Sequence, residues 1–259
     1  MNTFFCSGNV YVSKVLTLLI FSISNQLYSQ SMNAKVKSKE LLIDLSHTIE
    51  DGLVTYKGLP APIICDYLSR ENSKKFYDEG TQFQIGKIEM VTNTGTYIDC
   101  PFHRYENGKD LSEIGLEHFA DLEGIVIRIP YTKTLEITEE YFSQHELKGK
   151  AVLIQTGWGD EHWNTENYFD NHPYLTEGAA IYLKNQGVKL VGIDSHNIDS
   201  TKGKTRPVHS VLLGSEILIV EHMCNLSALP DHGFTFSAVP PKFKGVGTFP
   251  VRAMARLNQ

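Results

Sequence analysis

The chain has 259 residues, with 24 basic against 30 acidic side chains and a formal net charge of −6; 41% of residues are apolar and 21% charged. This balance excludes a collagen-like, low-complexity or intrinsically disordered chain, and the length supports a core without staples. No Lys/Arg cluster is present, which argues against a nucleic-acid partner held through phosphate contacts.

The first 31 residues carry one charge, Lys14, followed by a nine-residue apolar run from Val15 to Ile23. A membrane-spanning helix needs about 20 such residues, so no membrane span is expected. A basic residue, a short apolar run and the small residues of Ser29-Gln30-Ser31 predict a secretory signal peptide over 1–31 and a periplasmic or secreted product. Translation starting at Met32 would give a cytoplasmic protein instead. Residues 32–259 then form a single domain. Without Cys6, the remaining Cys65, Cys100 and Cys224 make no CxxC pattern, and Cys65 and Cys224 are expected as small buried apolar residues.

Leu41–Leu45 reads as a strand and Gly58-Leu59-Pro60-Ala61-Pro62 as a rigid loop. Gln84 to Met90 alternates apolar and polar residues, predicting a half-buried strand. Gly124–Pro130 and Ala151–Gln155 are β-branched runs between turn formers, hence strands. Thr176 to Gly187 combines a Thr N-cap, helical periodicity and a Gly stop, predicting a helix. Val188–Asp194 and Ile217–Glu221 read as buried strands, each ending in an acid, and alternating segments follow at 234–239 and 248–253. Many short strands with few helices and no GxGxxG or GxxxxGK fingerprint predict one α/β domain with mixed sheets.

The densest polar stretch is Asn93-Thr94-Gly95-Thr96-Tyr97-Ile98-Asp99-Cys100-Pro101-Phe102-His103-Arg104. Alternation along an extended segment puts Asn93, Gly95, Tyr97 and Asp99 on one face. Gly95 permits close approach of another group, and Pro101 ends the strand, throwing His103 and Arg104 into a turn. Pro207-Val208-His209 precedes a later strand, and Glu221 ends it. Asp, His and Glu together suit a divalent ion such as Zn²⁺ or Mn²⁺. Such an ion lowers the pKa of coordinated water towards ~7, giving a hydroxide nucleophile, while a separate His moves protons to the leaving group.

Several segments resemble those of the putative cyclase family, which includes bacterial kynurenine formamidase and isatin hydrolase. They are Asp44-Leu45-Ser46-His47, Tyr56-Lys57-Gly58-Leu59-Pro60, Thr94 to His103, Gly192-Ile193-Asp194-Ser195, Arg206-Pro207-Val208-His209 and Val220-Glu221-His222, in order across most of the mature chain. The resemblance implies a swivelling β/β/α fold, homodimers or homotetramers, and metal-dependent hydrolysis of a small amide or lactone. It implies metal-ligand roles for Asp99, His209 and Glu221, and a general acid/base role for His103. Where the formamidase branch has two ligand histidines, this chain has Asn93 and Tyr97. Asn and neutral Tyr are poor Zn²⁺ ligands, so one metal per chain is expected, with a two-metal site completed by water or tyrosinate as the alternative. The expected function is arylformamidase-like amide hydrolysis. The alternatives are lactone or cyclic-imide opening on the same centre, and a non-catalytic metal- or ligand-binding member of the fold.

Other residues have weaker claims. His196, after a buried strand, and Trp158, in a glycine-flanked loop at the site mouth where it would stack on an aryl substrate, are candidates for the substrate pocket. His47 and His222 read as structural, and Cys100 alternates away from Asp99.

Overall fold

A computed structural model describes residues 41–257 of the chain; the expected signal peptide over 1–31 lies outside them. In chain order the elements are β1 (Leu41–Asp44), β2 (Ile63–Leu68), α1 (Arg70–Ser73), β3 (Ile85–Glu89), β4 (Tyr97–Asp99), β5 (Leu122–Arg128), β6 (Glu136–Ile137) and β7 (Ala151–Gln155). Then come α2 (Trp158–His162), β8 (Tyr174–Leu175), α3 (Glu177–Gln186), β9 (Leu190–Ile193), α4 (Pro207–Leu213), β10 (Leu218–Glu221), β11 (Phe234–Ser237), β12 (Thr248–Pro250) and β13 (Met254–Leu257).

Nine strands form one mixed sheet in the order β1-β13-β11-β5-β7-β9-β10-β4-β12. Its centre, β5-β7-β9-β10, is parallel, and the flanking pairings are antiparallel. A parallel centre is buried on both faces, which is why its strands read as continuous apolar runs rather than alternating ones. Along β7, Ala151 and Leu153 join one apolar cluster with Ile98, Phe234 and Phe236, while Val152 and Ile154 join a second with Leu183 and Leu212 of the helices. The architecture is the expected mixed α/β fold.

The helix expected at 176–187 is α3, and its caps work as predicted. The Thr176 side chain accepts from Ala179 N at 3.0 Å, and Gly187 stops the helix at φ +73°. An N-cap of this kind stabilises by about 1 kcal/mol. By contrast, Pro207-Val208-His209 is no mere lead-in to a strand: it opens α4, with Pro at the first helical turn, where its missing N–H costs nothing.

Two expectations fail at β2 and β3. These strands pair only with each other, and among the described residues no layer covers them. All five residues of β3 are exposed rather than half-buried, and Cys65 of β2 is exposed rather than buried. Ile63, Tyr67, Phe76, Phe83 and Ile88 are exposed there as well. Cys224 is buried as expected. Among the described residues no helix is long and apolar enough to cross a membrane.

Candidate metal centre and active site

Strand register assembles the site. Asp99 lies opposite Ile219 of β10 and Thr248 of β12, while Tyr97 lies opposite Glu221 and Pro250. Directly opposed residues share a face, so Tyr97, Asp99, Glu221 and Thr248 converge on one side of the sheet, and all four are buried. Past β4, a short helical turn over Pro101–His103 brings His103 Nδ1 to 3.9 Å from Asp99 Oδ1, as the Pro101 stop predicts. The first turn of α4 supplies His209 from the other side. Tyr97, His103, His209 and Glu221 line a cavity of about 370 Å³, within the range of small-molecule sites.

Two glycines make this packing feasible. A Cβ on Gly95, which sits at φ +66°, would lie 2.6 Å from Ile49 Cγ1. A Cβ on Gly247 would lie 2.3 Å from the His103 backbone nitrogen, so only glycine lets the strand before Thr248 press against the turn that holds His103.

Hydrogen bonds determine which nitrogens are free. Thr248 donates its single hydroxyl proton to Asp99 Oδ1, so at 2.7 Å its oxygen accepts from His103 Nδ1–H. That assignment leaves His103 Nε2 with a lone pair. Asp199 accepts the backbone N–H groups of Val208 and His209 and pairs with His209 Nδ1 at 2.6 Å. His209 Nε2 therefore faces the site, 3.6 Å from Asp99 Oδ2 and 3.7 Å from Glu221 Oε1. The remaining oxygen, Glu221 Oε2, accepts from the Tyr97 hydroxyl at 2.6 Å, and Oε1 accepts from Ile198 N at 2.6 Å.

The donor set fits a divalent cation. Asp99 Oδ2 is buried and has no hydrogen-bond partner, although it faces an imidazole nitrogen and a second carboxylate. A buried acceptor of this kind is costly unless a positive centre satisfies it. The group Asp99, His103 and His209 places one donor atom from each within 4.8 Å of the others, with Glu221 Oε1 beside His209. The expected ligands Asp99, His209 and Glu221 and the expected acid/base His103 are thus brought together. The Asp199–His209 contact is the arrangement that orients a metal-binding imidazole.

Neighbouring charges and burial set the protonation of these groups. Burial works against a charged His209, yet Asp199, Asp99 and Glu221 push its pKa up to about 10. Burial also opposes ionisation of Asp99, but His103, His209 and Thr248 outweigh it and hold the carboxyl below its usual range. Burial, aided by the Asp99 charge, raises Glu221 to about 7. Burial and the charges of Glu221 and Asp99 hold the Tyr97 phenol well above its ordinary value. The Tyr97 hydroxyl donates to Glu221.

Asn93 lies on the cavity wall, in a bend before β4 rather than in the strand itself. Trp158 is a correction: instead of forming a loop at the site mouth, it starts α2, is 6% exposed and donates its indole N–H to Tyr168 O at 3.1 Å. Its flanking glycines serve packing, since a Cβ on Gly159 would lie 2.7 Å from Asp194 O. His196 is buried one layer behind the cavity wall, its ring 4.6 Å from that of Tyr56. His222 packs against Trp163 and Tyr168, and His47 stacks on Trp163 at 3.6 Å. Burial raises the Cys100 thiol to about 12, so it is no thiolate at neutral pH. Of the two strand-ending acids only Glu221 serves the cavity; Asp194 accepts from Thr156 N and Gly157 N to shape the turn into α2.

Sequence reasoning assigned no role to Asp199 or Thr248. Asp199 caps α4 from ten residues before His209, and Thr248 meets Asp99 only through strand pairing. Neither arrangement has a local spacing signal.

Three histidines behind the site carry a pH signature. Burial lowers His47 from 6.5 to about 4 and His196 from 6.5 to about 3, and it lowers His172 as well. Below 6.5 the unfolded chain binds more protons at these sites than the folded one, so their contribution is intact above that pH and is lost as pH falls towards the folded values. The melting temperature of chelator-treated protein should drop continuously from pH 6.5 to 4; a flat profile would show that these rings are not buried as neutral imidazoles.

Comparison with known proteins places this geometry in a family. The family model described as Putative cyclase matches residues 43–200. The kynurenine formamidase of Geobacillus thermodenitrificans is 30% identical over 216 residues, covering 83% of this chain and 96% of the relative. Isatin hydrolase A from Labrenzia aggregata, solved bound to benzyl benzoate, superposes with a TM-score of 0.73 at 21% identity, covering 90% of this chain and 99% of that one. A predicted metal-dependent hydrolase from Bacillus stearothermophilus superposes with a TM-score of 0.67 at 23% identity, covering 85% and 99%. With the expected donors gathered on this sheet and the family model spanning most of its strands, the chain belongs to the putative cyclase family.

Proposed function

We propose that this protein is a metal-dependent hydrolase of the C–N bond of a small amide, arylformamidase-like, with one divalent ion, Zn²⁺ or Mn²⁺, held by Asp99, His209 and Glu221. The observation that carries this reading is Asp99 Oδ2, a buried oxygen with no hydrogen-bond partner among the described residues, which faces His209 Nε2 in a donor group that also includes His103. A bound divalent ion supplies acidified water and carbonyl polarisation at neutral pH.

The rest of the chemistry belongs to the chain. His103 Nδ1–H is tied to Thr248, so Nε2 is the atom that exchanges protons. It accepts a proton as water adds to the amide carbonyl and returns it to the nitrogen as the C–N bond breaks, releasing carboxylic acid and amine. Asp199 holds His209 in the tautomer that turns Nε2 into the site. One ion rather than two fits the Tyr97 hydroxyl being committed to Glu221 and Asn93 being a poor ligand.

Elemental analysis and a substrate panel test this. N-formylkynurenine, isatin and simple lactones should be assayed before and after chelation and after metal readdition. The expected result is amide hydrolysis that is lost with chelator and restored by Zn²⁺ or Mn²⁺. Hydrolysis indifferent to metal overturns the proposal, and turnover of lactones or isatin alone moves it to ring opening.

We also propose a homodimer, supported by the apolar β2–β3 ribbon, because an isolated two-stranded ribbon is marginal in water. Light scattering should give twice the chain mass; a monomer at micromolar concentration refutes it.

A further inference from the structure

The cavity is not uniformly acidic. Its deep end holds Glu221 and His209, but its wall also carries Lys57, Arg104 and Arg206. Lys57 has an exposed ion pair with Glu166 at 3.5 Å. The two arginines differ from it: among the described residues neither has a carboxylate partner, and each meets only neutral groups, Arg104 also lying over the Tyr105 ring at 5.4 Å. Arg104 Nε donates to Ser210 Oγ at 3.2 Å. Arg206 Nη1 donates to the carbonyls of Ser200, Gly203 and Thr205 at 3.3, 2.9 and 2.9 Å. Ser210 Oγ in turn donates to Arg206 O at 2.8 Å, so one serine ties the two arginines together. Both terminal nitrogens of Arg104, and Nε and Nη2 of Arg206, make no hydrogen bond among the described residues.

We propose that Arg104 and Arg206 form the recognition site for a carboxylate on the substrate, and that the substrate is an amide whose amine half is anionic. Positioned guanidinium groups with uncommitted donors match a carboxylate in plane and charge better than any neutral group. The side on which the carboxylate sits follows from the chemistry. Arg104 is the next residue after His103, the group that serves the leaving nitrogen, and a formyl acyl half has no room for a charge. The inference rests on the proposed amide hydrolysis for its substrate but not for its anion site.

The competing explanation is that the arginines only offset the charge of Asp99, Asp199 and Glu221. In that case, removing them would affect neutral and anionic substrates alike. Formanilide and its ortho-, meta- and para-carboxylated analogues separate the two, assayed with metal-loaded wild type, Arg104→Gln, Arg206→Gln and Arg206→Lys. Calorimetric binding of the matching aminobenzoates and aminobenzamides supplies a readout independent of turnover.

Wild type should prefer at least one carboxylated isomer by about tenfold to a hundredfold in kcat/KM. Each Gln variant should lose about tenfold of that ratio, and Arg206→Lys should recover part of it. Arg104 is exposed, so Arg104→Gln keeps the test valid if Arg206 variants, whose side chain ties the 200–205 loop, fail to fold. An equal loss on neutral and anionic substrates, or no preference in wild type, overturns the inference while leaving amide hydrolysis standing. If no amide is cleaved but aminobenzoate binds in an arginine-dependent way, the reaction is wrong and the anion site is upheld.

Discussion

His209→Ala is expected to lose the bound metal and to lower amide turnover by at least about a thousandfold, since acidified water at neutral pH is the largest contribution the site makes. The geometry behind this is specific. His209 Nε2 faces Asp99 Oδ2 and Glu221 Oε1 at 3.6 and 3.7 Å, so its removal leaves two buried carboxylates without the imidazole that completes the donor set. Asp199→Asn is the graded companion. It keeps the size of the side chain but weakens the contact that sets the His209 tautomer, and should cost about ten- to a hundredfold in metal affinity. Elemental analysis and a metal titration monitored by activity read both. A His209→Ala protein that retains stoichiometric metal, or an Asp199→Asn protein with wild-type affinity, would remove His209 from the metal site or Asp199 from its support.

His103→Gln should retain the metal and lose about a hundred- to ten-thousandfold in kcat, the usual contribution of a positioned proton carrier. The variant distinguishes two roles the structure brings close together, because His103 belongs to the same donor group as Asp99 and His209. If it is the proton carrier, the metal stays while kcat falls. If it is instead a ligand, metal and activity fall together, and the assignment of His103 as acid/base is wrong. Thr248→Val should produce a milder version of the first outcome, because it removes the acceptor that holds the proton on His103 Nδ1 while leaving the ring in place.

Much of the fold is legible in the residues because local signals and burial agree there. The continuous apolar runs of β5, β7, β9 and β10 reflect a sheet buried on both faces, and the Thr176 and Gly187 caps state the limits of α3 in local chemistry. The alternation in β3 misleads for an equally physical reason. Period two shows that a segment is extended, but whether anything covers its apolar face depends on other elements, and none of the described ones covers this ribbon. Trp158 fails in the same way. Glycines beside it suggest a loop, whereas Gly159 is needed because the Asp194 backbone lies too close for a side chain.

The candidate site divides similarly. By itself the sequence determined the chemistry available: a strand ending in Asp99, a proline stop that turns His103 beside it, a later His209, and Glu221 at the end of a buried strand, all in a pattern resembling one family. These are short-range facts, carried by spacing and residue type. Only the tertiary structure decided how they combine. Pairing of β4 with β10 and β12 set Glu221 against Tyr97 and Thr248 against Asp99, and packing of α4 let Asp199 orient His209 from outside any local motif. The two arginines belong to this second class, since their lack of acidic partners among the described residues is a property of three-dimensional neighbourhood. Charge, tautomer and proton path depend on which groups meet across the fold, and that is written in strand register rather than in spacing along the chain.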